Sequence, residues 1–127
     1  MTGFLALTIA PAQAMEGDPE AGALAFRPCM TCHVTEAQPE SSRAGPSLHG
    51  IAGRRAAALD GVRYSDALRA AGAAGLVWDE TNFTAYVQDP VGFLRAYLGE
   101  PRARGLMLVR VPSPEAARDI FAYLATR

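Results

Sequence analysis

The chain has 127 residues, half of them hydrophobic, and a formal net charge of −1. That length fits one domain with a packed core, and the near-neutral balance argues against nucleic acid as a partner. All twelve basic residues are arginine. They are spread unevenly: residues 15–89 carry six against ten acids, and residues 90–127 carry six against three. A neutral total thus hides a dipole.

Residues 1–14, MTGFLALTIAPAQA, hold no charge and end in Ala12-Gln13-Ala14. An apolar run before a small-residue cleavage site reads as a secretory signal peptide, although the usual basic leader is missing. The run is too short and too broken by proline to span a bilayer. Residues 15–127 are then expected to form a single exported domain.

Asp18-Pro19-Glu20 supplies an N-cap, a proline at the first helical position and an acid in the first turn. The helix it opens should run through Phe26 and stop before Pro28. Residues 34–63 are rich in Pro, Gly, Ser and Arg and read as a long loop. A loop of that length in a compact domain needs something large to wrap. Ser65-Asp66 opens a short helix that ends at Gly72. Asp79 caps another, with Phe83, Tyr86 and Val87 on one face. Asp89-Pro90 ends it and caps a fourth, which runs to Gly99. Ser113-Pro114-Glu115 opens the last, with Ile120, Tyr123 and Leu124 as its apolar stripe. No segment alternates at period two, so the fold class is all-α.

The two cysteines stand in Cys29-Met30-Thr31-Cys32-His33. This is the spacing of covalent haem c attachment: two thiols reach the vinyl groups of one porphyrin, and the next residue, His33, falls under the iron. A thioredoxin-like redox pair would need a preceding strand and a βαβ context. A zinc site could draw on Cys29, Cys32, His33 and His49 but lacks a second ligand pair of recognisable spacing. One covalent haem is therefore the expected cofactor, with His33 as one metal ligand.

Met107 is the expected second axial ligand. Met1 belongs to the leader, Met15 stands at the mature terminus, and Met30 lies between the cysteines. His/Met is a common electron-transfer pairing. Two readings stay open beside it: His49 as the sixth ligand, or an open position suited to gas binding or peroxidase chemistry. A thioether favours ferrous iron and raises the potential.

With these motifs in place, the chain resembles the class I cytochromes c, most closely the bacterial cytochromes c2. The likeness rests on GDPEAGALAF, CMTCH, GPSLHGIAGR, GLVWDETNFTAYVQDP, GFLRAYLGEPRARGLMLVRV and the C-terminal helix, in that order. The resemblance implies about five short helices and long loops around one haem. It implies that the Pro46 carbonyl accepts from the His33 ring, and that Arg54, Tyr64 and Trp78 bond a buried propionate. Tyr86 would stand near the ligand sulfur, and Gly22 and Phe26 would pack against Ile120 and Tyr123. Val109 departs from the family's usual aromatic two places after the methionine.

The resemblance also implies a monomeric, periplasmic, single-electron carrier rather than an enzyme. Its partners would be membrane redox complexes docking near the haem edge, such as a cytochrome bc1 complex, a terminal oxidase or a photosynthetic reaction centre. A haem sensor or peroxidase-type protein with a labile Met107 is one alternative. A dedicated electron-accepting subunit of a periplasmic dehydrogenase is another. In place of the family's lysine-rich docking face, Arg95, Arg102, Arg104 and Arg110 flank the Met107 loop. Arg63 and Arg69 lie in a separate segment and are expected to matter less for docking.

Overall fold

The computed structural model describes residues 16–37 and 44–127; the expected signal peptide and cleavage site lie outside them. Five α-helices follow in chain order: α1 (Pro19–Ala25), α2 (Asp66–Ala73), α3 (Glu80–Gln88), α4 (Pro90–Leu98) and α5 (Pro114–Leu124). Among the described residues there is no β-strand, only one antiparallel bridge between Arg55 and Val77.

Each helix begins where a short polar side chain takes over the first free N–H groups. Asp18 accepts from the Glu20 amide, Ser65 from Leu68, Asp79 from Asn82, Asp89 from Gly92 and Ser113 from Ala116. Proline sits in the first turn of α1, α4 and α5, where its missing N–H costs nothing. Gly99 ends α4 in the left-handed region at φ 65°.

The two ends of the described chain meet. α1 crosses α5, while α3 packs on α5 and α4, and α2 on α4. The crossing requires glycine at position 22, because a Cβ there would strike the Asp119 carbonyl and come within 2.8 Å of the Tyr123 Cβ. Phe26 and Tyr123 pack beside it, their rings tilted by 48° with centroids 5.6 Å apart. The core gathers Leu76, Trp78, Phe83, Leu94, Ile120 and Phe121. Phe121 is more deeply buried than Tyr123, so the apolar face of α5 is rotated slightly from the expected stripe.

Between 32 and 65 the described residues carry no helix, in keeping with the loop expected over 34–63. Part of it pairs across the fold: Trp78 N–H donates to Arg54 O at 2.9 Å, Gly53 N–H to Trp78 O at 2.8 Å and Ala56 N–H to Leu76 O at 2.9 Å. These bonds pin the loop against the entry to α3.

Candidate cofactor site

A 3₁₀ turn over Arg27–Thr31 follows α1 directly. Five residues are too few to show a periodic signal; Pro28 both ends the α-helix and starts the tighter turn. The Cys29 carbonyl then accepts from the amides of Cys32, at 3.1 Å, and His33, at 2.9 Å. These two hydrogen bonds to one carbonyl curl the motif, and Cys29, Cys32 and His33 all line one cavity.

The 44–48 segment closes over the motif. Gly45 N–H donates to Cys32 O, and Leu48 N–H to Val34 O, each at 2.8 Å. The Pro46 carbonyl thereby meets His33 Nδ1 at 2.8 Å. A carbonyl only accepts, so Nδ1 carries the hydrogen and Nε2 keeps the free lone pair of the neutral ring. Burial pulls the His33 pKa below its ordinary value, with the Pro46 bond acting in the opposite sense. The neutral, metal-binding form is favoured.

The cavity holds about 260 Å³, far beyond the ~10–15 Å³ that admits one water. It is therefore a built space and not a packing defect. Ile51, Leu68, Val87, Leu106, Leu108 and Val111 supply part of its apolar wall. Val87 was expected on the apolar face of α3; for Ile51, Leu106, Leu108 and Val111 the available signal was aliphatic residues standing in loops, without a helix face to bury them. Met107, half-buried, lines the same cavity.

The other expected site residues also converge. Pro46, Arg54, Tyr64, Trp78 and Tyr86 all line the cavity. Arg54 is anchored by two backbone carbonyls, donating from Nη1 to His49 O at 2.8 Å and from Nη2 to Ser47 O at 3.2 Å. Burial draws its pKa down, and nearby Tyr64 acts to raise it. The Tyr64 hydroxyl accepts from the Leu59 amide at 3.2 Å, which leaves its own proton free to donate. Tyr86 lies 4.8 Å, centroid to centroid, from Trp78, and burial pushes its phenol up to about 12.

The competing readings of the motif fare differently. His49 is exposed and is not part of the cavity wall, so it is not placed as a sixth ligand. Among the described residues no group of three or more His, Cys, Asp or Glu is placed to hold a metal ion, which removes the four-ligand zinc reading. Burial raises the Cys29 pKa above its ordinary value, with Cys32 adding in the same sense. That is the reverse of the activated thiolate of a redox pair.

The arginines are not a simple ring. Arg95 Nε donates to Ala103 O at 2.9 Å, and Arg110 pairs with Asp89 at 3.2 Å. Arg102 and Arg104 instead share a groove with Arg63 and Arg69. The expected separation of those two pairs is thus overturned, because the chain folds the start of α2 against the segment after α4.

Two thiols, an imidazole with its Nε2 lone pair free and a thioether are gathered on one apolar cavity of an all-α fold, and these are the donor types that a monohaem c-type cytochrome requires. No protein-family model matches the chain. Its similarity to individual proteins is extensive. It is 46% identical to cytochrome c2 of Rhodovulum adriaticum over 118 residues, covering 88% of this chain and 94% of that one. It is 48% identical to cytochrome c-551 of Roseobacter denitrificans over 128 residues, covering 96% and 90%. The crystal structure of cytochrome c2 from Rhodobacter sphaeroides superposes with a TM-score of 0.81 at 42% identity, covering 87% of this chain and 96% of the other. The chain belongs to the cytochrome c2 family: it is an electron carrier with one covalent haem c.

Proposed function

We propose that the chain is a soluble periplasmic shuttle that moves single electrons between membrane redox complexes. The donor would be of the cytochrome bc1 type, and the acceptor a terminal oxidase or photosynthetic reaction centre. Cys29 and Cys32 would hold the haem, and His33 and Met107 would ligate its iron. The observation that carries this reading is that both thiols, His33 and Met107 face one apolar cavity. No described helix is long and apolar enough to cross a membrane.

The haem supplies the ferric–ferrous couple that takes up and gives back one electron. The chain's own residues do the rest. The Pro46 carbonyl orients the imidazole and fixes its tautomer. Met107 contributes a soft sulfur that favours the reduced state. With His33 and Met107 both bound to the iron, no position would remain for bond-making chemistry, which suits a carrier rather than an enzyme. Arg54, Tyr64 and Trp78 bring N–H and O–H donors to an apolar cavity, where a propionate needs them. The apolar wall keeps water away and limits the reorganisation that accompanies a change of charge.

The cavity mouth carries the docking chemistry. Leu106, Leu108 and Val109 line the cavity while remaining 55%, 72% and 62% exposed. Arg102 and Arg104 precede them in the chain. An apolar rim with positive charge beside it suits weak, fast, electrostatically steered encounter.

The ferric absorption spectrum tests the ligand set. Methionine ligation gives a weak long-wavelength band, and its absence would favour the sensor or peroxidase-type reading with a labile Met107. Flash kinetics with isolated membrane complexes test the shuttle role. Failure to reduce or oxidise any of them at useful rates would favour a dedicated subunit of one dehydrogenase.

A further inference from the structure

Arg63 lies just before α2 and Arg69 within it, and Arg102 and Arg104 lie in the segment after α4. All four line one open groove, together with Asp66 and Glu100. Four guanidinium groups therefore face two carboxylates. One carboxylate is already engaged, because Asp66 pairs with Arg69 at 3.0 Å. Arg63, Arg102 and Arg104 are exposed and form no salt bridge among the described residues. The same stretch does provide acceptors elsewhere: Arg95 is tied to a carbonyl and Arg110 to Asp89. Three of the four groove arginines thus have no ion pair among the described residues, against the one unpaired carboxylate of Glu100.

Like charges on concave walls repel one another and focus a positive potential into the space between them. The arrangement is unfavourable unless an anion offsets it. We propose that this groove binds a small polyphosphate anion, independently of the haem's role. Guanidinium groups hold phosphate through paired N–H···O bonds. The two carboxylates weaken the attraction for single-charge ions, so a multiply charged ligand is needed to gain from all four arginines. Concavity favours a compact anion over the flat face of an acidic protein. Arg102 and Arg104 belong to the stretch that carries Met107, so an occupied groove would compete with any acidic partner docking there.

Calorimetric titration of the haem-loaded protein with inorganic tripolyphosphate, at constant ionic strength, tests the proposal. Saturable one-to-one binding is expected. Arg63→Gln combined with Arg102→Gln should weaken it roughly tenfold or more, as loss of two charge-assisted contacts implies. Arg27→Gln with Arg118→Gln removes the same charge away from the groove and should have little effect. In the unaltered protein, tripolyphosphate should move the amide resonances of residues 65–70 and 102–106. No saturable binding, equal weakening by both pairs, or shifts spread over the whole surface would each overturn the proposal. So would binding to anionic phospholipid vesicles through Arg63 and Arg102 without binding of tripolyphosphate.

Discussion

His33 Nδ1 donates to the Pro46 carbonyl at 2.8 Å, which leaves Nε2 with the free lone pair of a ring that lines the cavity. The neighbouring residue leaves the ring no spare room. A Cβ on Gly45 would lie 2.7 Å from Nδ1 and 2.9 Å from Nε2. Gly45→Ala should therefore tilt the imidazole and lower stability by about 1–3 kcal/mol, the usual cost of overpacking. Urea denaturation of the haem-loaded protein would measure this. An unchanged midpoint would mean that the ring tolerates displacement.

Cys29→Ala or Cys32→Ala should leave little mature protein. The residues that wall the cavity come largely from loops, and without the haem that wall faces water. Each apolar Å² left uncovered forfeits about 25 cal/mol, and small domains have little stability in reserve. Circular dichroism and chemical-shift dispersion of the haem-free chain give the measurement; full native folding would contradict the expectation.

Met107→Ala should keep the covalent haem and lose the high potential. Attachment depends on the two cysteines, whereas the thioether acts only on the iron. The potential should drop by on the order of 0.1–0.3 V, within the ~0.8 V that axial ligands span. Redox titration decides, and an unchanged potential would remove Met107 from the ligand set.

Tyr86 predicts a loss of stability in alkali. Its phenol is pushed from 10 up to about 12 by burial. Between those values the unfolded chain has given up the proton and the folded one has kept it. The contribution is complete below pH 10 and declines as pH rises toward 12. Its full size is on the order of 2–3 kcal/mol at most, from two pKa units at 1.36 kcal/mol each. Tyr86→Phe should flatten the decline. Denaturation midpoints from pH 8 to 12 check this, and parallel curves for the two proteins would exclude Tyr86 as the cause.

Reaction with a membrane partner should slow as salt rises, since the screening length falls from ~30 Å at 0.01 M to ~8 Å at 0.15 M. Because all four groove arginines share one surface, Arg63→Ser with Arg69→Ser should slow association about as much as Arg102→Ser with Arg104→Ser. Arg27→Ser with Arg118→Ser is the comparison. Stopped-flow rates across ionic strength would settle the matter. Equal slowing by all three pairs would indicate a long-range field with no localised docking face.

Local chemistry made much of the fold legible. Asp18, Ser65, Asp79, Asp89 and Ser113 announced all five helix starts, because a cap acts through residues two or three places away. Cys29, Cys32 and His33 announced the cofactor for the same reason. What stayed hidden depends on distant parts of the chain. The pairing of Arg54 with Trp78 carries no periodic pattern. The 3₁₀ turn at Arg27–Thr31 is too short to have one. The meeting of Arg63 with Arg102 is a product of topology, and sequence separation pointed the wrong way.

The segment that carries Met107 is moored at both ends. At its start, Arg95 reaches forward to the Ala103 carbonyl. At its end, Val111 N–H holds Val87 O at 2.7 Å and Arg110 holds Asp89. Residues 104–109 are the span between the moorings. Insertions or deletions confined there would change only how far the methionine reaches, leaving α4 and α5 undisturbed. The same changes outside would drag on a helix. Relatives that differ in loop length are therefore expected to place their extra or missing residues inside this interval, and to use it for tuning one bond without redesigning the rest of the molecule.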